Sequence, residues 1–131
     1  MNQKQMTIAG WVLTGLFALF MLGASIAPKL LGMEVAAASL RDLGWPVGHV
    51  LLIGGFELVF MLLYLVPRTA VLGAVLMTAL IGGAMAAHIR VGSPLFSHTL
   101  FGIYLSVFMW GGLWLRMPGL RALFPITSQK D

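Results

Sequence analysis

Four apolar runs, each close to the length of a membrane-spanning helix, leave this chain one kind of fold. They extend from about Thr7 to Ala27, Val47 to Val66, Thr69 to His88 and His98 to Arg116. A bilayer's hydrocarbon core takes about 20 residues of helix to cross. Backbone groups have no water to bond inside that core, so each run satisfies its own N–H and C=O groups as a helix. The chain is 60% hydrophobic and only 9% charged over 131 residues, which commits nearly all of it to the bilayer. The expected fold is all-α: a single membrane domain, residues 1–131, built as an antiparallel bundle of four transmembrane helices.

The links between the runs set the connectivity. Pro67-Arg68-Thr69 is a tight turn, which makes the second and third helices antiparallel neighbours. The link VGSPLFSH before the fourth helix is short and contains Pro94. The first link is longer, and its MEVAAASLRDLGW stretch predicts a short interfacial helix between helices one and two, with Glu34, Arg41 and Asp42 as its polar residues. Ser25-Ile26-Ala27 resembles a signal cleavage site. The apolar run before it exceeds the usual signal core, and Pro28 would follow the cut, so the first run is read as a retained helix.

Charge sets the expected orientation. An even number of spans puts both termini on one side, together with Lys4, Arg68, Arg116, Arg121 and Lys130. Lys29, Arg41 and Arg90 fall on the other side. Positive charge favours the cytoplasm, so both termini are expected there. The net charge of +4 is distributed at helix ends, where it meets anionic membrane lipids rather than nucleic acid. The chain has no cysteine, which excludes thiol–disulfide chemistry and cysteine-ligated metal centres within it. Ala79, Gly83 and Ala87 form one small-residue stripe on the third helix, and Ala70, Ala74, Thr78, Gly82 and Ala86 form another. Two such stripes predict that this helix lies at the centre of the bundle; an exposed stripe would equally serve a homo-oligomer.

The polar residues suggest a pocket between helices one to three, open to the outer leaflet or periplasm, with Glu57 at its floor. Glu57 lies in GGFELVFMLLYLV, near the middle of the second run. A carboxylate at the centre of a membrane helix costs about 2.5–3.5 kcal/mol on insertion scales, so it faces protein or a cavity. Thr78 is level with it across the Pro67 turn and is the expected hydrogen-bond partner. His88 is predicted roughly 15 Å away along the helix axis. Ser25, Lys29, His49, Arg90 and His98 are placed at the outer rim, with Ser25 one turn before Lys29 on the same face. The structural alternatives are an interhelical hydrogen bond for Glu57, snorkelling of Lys29 and Arg90 to head groups, and interfacial histidines without chemistry. Ser25 and Lys29 have the spacing of a serine–lysine dyad, but no oxyanion hole is readable. No HxxxH or HExxH spacing occurs, so no metal site is expected. A haem between His88 and His98 would lie at the rim rather than in the apolar core.

The chain resembles the DoxX-like family of small four-helix membrane proteins. The resemblance is carried by Ser25-x-x-x-Lys29-Leu30, Leu43-Gly44-Trp45-Pro46, Gly54-x-x-Glu57-Leu58, Pro67-Arg68, Leu72-Gly73-Ala74, and Gly83-Ala84 leading to His88. It implies a bundle in the cytoplasmic membrane of a bacterium, and association with redox systems. Relatives include a membrane subunit of a thiosulfate:quinone oxidoreductase, and others partner with oxidative-stress proteins. The thiol-oxidising chemistry of the wider group cannot transfer to a chain without cysteine. The leading expectation is a quinone-associated or redox-accessory subunit. Glu57 and His88 would handle protons or bind quinone carbonyls, with Lys29 and Arg90 at the rim for anionic head groups or a redox partner protein. The alternatives are a membrane assembly or binding protein without catalysis, and a small enzyme or carrier for a lipophilic amine held by Glu57.

Overall fold

The computed structural model describes residues 1–128, so Lys130 lies outside the described residues. The described chain is all-helical, without strands, and four helices are long and apolar enough to cross a membrane. Helix α1 spans Gln3–Leu30, α3 Val47–Leu65, α4 Ala70–Arg90 and α5 Leu95–Arg116. Between α1 and α3 lies the short α2, Glu34–Asp42, and α6, Pro118–Leu123, follows α5. The outward faces carry exposed apolar side chains, among them Leu19, Leu51, Val59, Leu72 and Val107. In water such a surface would drive aggregation; here it is the face presented to lipid. The chain is a multi-pass membrane protein.

Helix α1 runs past its expected end. Pro28 was expected to lie beyond the helix, yet the helix continues through it to Leu30. The reason is local. Residues Leu22–Ile26 form a π-turn, in which the Ala27 N–H donates to the Leu22 carbonyl five residues back. A proline ring clashes with the carbonyl four residues before it, here Ala24, and the widened turn lies where it relieves that clash. The helix then stops at Gly32, whose φ of 68° suits only a residue without a side chain. The Met33 N–H closes the end on the Pro28 carbonyl.

The bundle closes as a ring in which α1 packs on α5, α5 on α4, α4 on α3, and α3 on the last turns of α1. The α1–α5 contact is a glycine crossing. A Cβ at Gly10 would stand 2.7 Å from the Gly112 carbonyl, and one at Gly112 would stand 2.6 Å from Thr14 Oγ1. The half of the bundle nearest the termini is packed solid. Tyr64, Phe17, Met61, Met77, Met109 and Leu113 are fully buried there, and Phe17 meets Tyr64 edge-on at 5.5 Å. The Tyr64 hydroxyl donates to the Met109 carbonyl at 2.8 Å and pairs with Thr14 Oγ1 at 3.2 Å, so its burial leaves no polar atom unmet. Arg116 caps this end with its guanidinium 4.0 Å above the Trp11 ring. Arg121 bonds Gln3 Oε1 at 2.6 Å, which places both ends of the described chain at the same end of the bundle.

Helix α4 is not the central helix that its two stripes suggested. Ala70, Gly73 and Ala74 are buried, and a Cβ at Gly73 would stand 2.2 Å from the Tyr64 nitrogen. Farther along, Ala79, Gly82, Gly83, Ala84 and Ala86 are exposed, with open space around both glycines. The close crossing that small residues permit is made by α1 and α5 instead.

Candidate functional site

The packed half gives way, toward the end opposite the termini, to a cavity of about 700 Å³. All four long helices and α2 line it. Its wall is mostly apolar, with Met21, Ile53, Met77, Ile81, Met85 and Leu105 among the lining residues. Phe20, Phe56 and Phe101 line it while remaining exposed on the outer surface, so its apolar wall is continuous with the lipid face. The rings of Phe20 and Phe101, 5.4 Å apart, fill the space between α1 and α5 at this depth. Helix α2 covers the cavity with buried Ala36 and Leu40 while keeping Glu34 and Arg41, joined as a surface ion pair, outside.

The polar part of the wall is built by α1 and α3. Gly54 brings the two backbones together, because a Cβ there would stand 2.8 Å from the Lys29 Cβ. Glu57 follows Gly54 by three residues and therefore lies on the same helical face. The Lys29 stem extends from that crossing to the carboxylate, and its Nζ lies 3.2 Å from both Glu57 oxygens. Lys29 Nζ also donates to Ser25 Oγ at 2.7 Å, and the Ser25 hydroxyl donates to Glu57 at 3.0–3.1 Å. Ser25 belongs to the π-turn of α1, one turn before Lys29. The result is a closed triad with one negative and one positive charge. Its charged side chains are only 14% (Lys29) and 10% (Glu57) exposed, which is deep enough for each to depend on the other.

This geometry corrects two expectations. Thr78 is not the partner of Glu57. Its hydroxyl donates to the Ala74 carbonyl at 2.7 Å and accepts from Trp110 Nε1 at 2.9 Å, because its face of α4 turns toward α5 while Met77 and Ile81 face the cavity. Lys29 and Ser25 are not at the rim. The continuation of α1 through Pro28 holds both at the level of Glu57. The signals for this were present in the sequence: Ser25 and Lys29 share a face, as do Gly54 and Glu57, and a buried membrane charge seeks a partner. Ending the first helix with its apolar run at Ala27 hid it.

The remaining candidates divide between the cavity and its surroundings. His88 lines the cavity with Glu57, and no hydrogen bond joins the two; His88 Nδ1 instead meets Ser93 Oγ at 2.9 Å. His98 lines the cavity beside His88, with ring centroids 5.9 Å apart. His49 lines it from the exposed start of α3. Arg90 is outside the lining and donates to the Leu43 carbonyl at 2.8 Å, which ties the end of α2 to α4. Sequence reasoning missed most of the aromatic part of the wall, Phe20, Phe101 and Trp45. Single aromatic residues in apolar runs carry no mark that separates cavity-facing from lipid-facing positions.

The chemistry open to the triad is limited by its bonding. Ser25 and Lys29 have the separation of a serine–lysine dyad, yet Lys29 donates to Ser25 and to both Glu57 oxygens. A lysine whose hydrogens are all donated has no lone pair with which to act as a base. The triad can bind, donate hydrogen bonds and hold a proton. The family model for DoxX-like proteins matches residues 12–112. The chain belongs to the DoxX-like family. The region matched in this DoxX-like protein contains the whole triad, Thr78, His88 and His98, together with all of α2. No curated protein and no solved structure matches the chain.

Proposed function

We propose that this DoxX-like protein is a redox-accessory membrane subunit that binds a quinone in the cavity. The observation that carries the reading is the combination of a mostly apolar cavity of about 700 Å³ with a compact, buried polar cluster, Ser25–Lys29–Glu57, on its wall. A volume of that order suits a lipophilic small molecule, and a few placed polar groups fix its orientation. Quinone carbonyls accept hydrogen bonds, and a head group at the triad would take over one of the hydrogens that Lys29 now gives to the two Glu57 oxygens. The tail would leave past Phe20, Phe56 or Phe101 toward lipid. Electrons would come from a partner protein, since the chain has no cysteine to supply a dithiol; Glu57 and Ser25 would exchange protons with the head group. A lipophilic amine fits less well, because the Glu57 charge is already matched by Lys29.

In a bacterial cytoplasmic membrane the termini would face the cytoplasm. Lys4, Arg68, Arg116 and Arg121 mark that end, whereas Lys29, once counted for the other side, is neutralised within the bundle. The cavity then faces the outer half of the bilayer. Titration of the purified protein in nanodiscs with a short-chain quinone analogue tests the reading. Lys29→Met and Glu57→Gln are each expected to weaken binding at least tenfold, which corresponds to about 1.4 kcal/mol. Equal affinity in wild type and both variants overturns the site.

A further inference from the structure

Two of the three histidines in the chain are adjacent at the cavity wall, and neither takes part in the triad. They come from different segments. His88 is in the last turn of α4, and His98 is in the π-turn Leu95–Thr99 that opens α5. The connection between them is tightly determined. Gly92, with φ of 70°, ends α4, and the Ser93 N–H closes on the His88 carbonyl. That closure also sets Ser93 Oγ 2.9 Å from His88 Nδ1. On the other segment, Ser97 Oγ lies 2.7 Å from His98 Nδ1. Both rings are therefore held through Nδ1 by a serine of their own segment. When Nδ1–H donates to the serine, the lone pair is on Nε2, the arrangement by which a hydrogen-bond partner orients a metal-ligating imidazole.

The spacing fits one shared ion. A metal–nitrogen bond of about 2.0–2.1 Å places the centroids of two imidazoles roughly 5.2 Å apart at a tetrahedral angle and roughly 6.4 Å apart when the rings are opposite one another. The observed 5.9 Å falls inside that interval. Neither histidine forms an ion pair with an acid among the described residues, so neither ring is already committed to a carboxylate. The cavity beside them has room for the waters that would complete coordination.

We propose that His88 and His98 together bind one first-row transition-metal ion through their Nε2 atoms. Two imidazoles and water form a nitrogen–oxygen donor set, which selects the later first-row ions, with Cu(II) the tightest, over Mg(II) and Ca(II). The proposal does not rest on the quinone reading, because its ligands share the cavity but are outside the Ser25–Lys29–Glu57 cluster.

The test uses untagged protein in detergent, titrated with Cu(II) and, separately, with Zn(II). The absence of cysteine removes the usual competing ligand, and His49, on the same cavity wall, is the one other imidazole that the variants must separate. One Cu(II) per chain is expected, with nitrogen hyperfine structure in its electron paramagnetic resonance spectrum. His88→Gln and His98→Gln should each lower the affinity at least tenfold, and His49→Gln should leave it unchanged. His98 is exposed, so His98→Gln carries the test even if His88→Gln proves unstable. Binding that survives His98→Gln, binding lost equally in His49→Gln, or no stoichiometric binding by the wild type overturns the proposal.

Discussion

At the residue scale, the Lys29–Glu57 pair is where the sequence pattern, the packing and the candidate chemistry meet. Each charge is nearly enclosed, and each makes the other tolerable. Removing one partner strands the other, which costs about 3–5 kcal/mol when an ion pair is buried. Glu57→Gln and Lys29→Met are both expected to lower thermal stability in detergent. The double variant has no stranded charge and should be destabilised by clearly less than the sum of the two. Melting curves for the four proteins check this; strict additivity would mean that the two groups do not interact. Thr78 gives the opposite lesson. It is level with Glu57 by residue counting, but depth alone does not choose a hydrogen-bond partner. The direction of its helical face does, and that face gives Thr78 to Trp110.

At the element scale, glycines divide into those that hold helices together and those that do not. Gly10 and Gly112 let α1 and α5 cross, and Gly73 lets α4 fold back on Tyr64. A methyl group added at any of these meets backbone or a buried side chain at 2.7 Å or less. Gly10→Ala, Gly112→Ala and Gly73→Ala should therefore each destabilise by about 1–3 kcal/mol. Gly15 and Gly55 have nothing within 4 Å of the added carbon. Their alanine variants should be neutral or stabilised by about 0.5–1 kcal/mol, since alanine is the better helix former. Detergent melts of the five variants separate the two groups. The small-residue stripes of α4 were legible as a pattern, but not as a set of contacts. A stripe records where another helix could approach, while the ring order of the bundle decides whether one does.

At the scale of the whole molecule, the protein is solid at one end and hollow at the other. Close helix crossings near the termini are followed by aromatic spacers at the cavity, and α2 covers the opening. Gly32 and Gly44 bound α2 at positive φ, and the Arg90 bond to the Leu43 carbonyl ties its end to α4. A Ser25→Cys reporter in this cysteine-free chain reads access to the cavity. On the proposed orientation, a membrane-impermeant thiol reagent should label it from the periplasmic side of vesicles and not from the cytoplasmic side. Adding Arg90→Gln should speed labelling several-fold by loosening α2, because the exposed hydrogen bond it removes is worth about 0.5–1.5 kcal/mol net. Equal rates with and without Arg90 would show that α2 is not held by it. Labelling from the cytoplasmic side alone would reverse the proposed orientation.

The sequence by itself determined the class of the protein. Run lengths near 20 residues, scarce charge and the short Pro67 link leave little besides a four-helix membrane bundle, because the bilayer forbids unpaired backbone. It also determined that Glu57 had to be satisfied within the protein. The tertiary structure alone decided by what. A π-turn before Pro28 carried α1 one turn farther than its apolar run suggested, and that turn brought Lys29 and Ser25 to the carboxylate. The ring contact of His88 with His98, the exposure of the α4 stripe and the lining of the expected pocket also depend on how helices splay and rotate about their axes. Those are properties of the packed ring of helices, and a nearly uniform apolar sequence carries little periodic signal from which to read them.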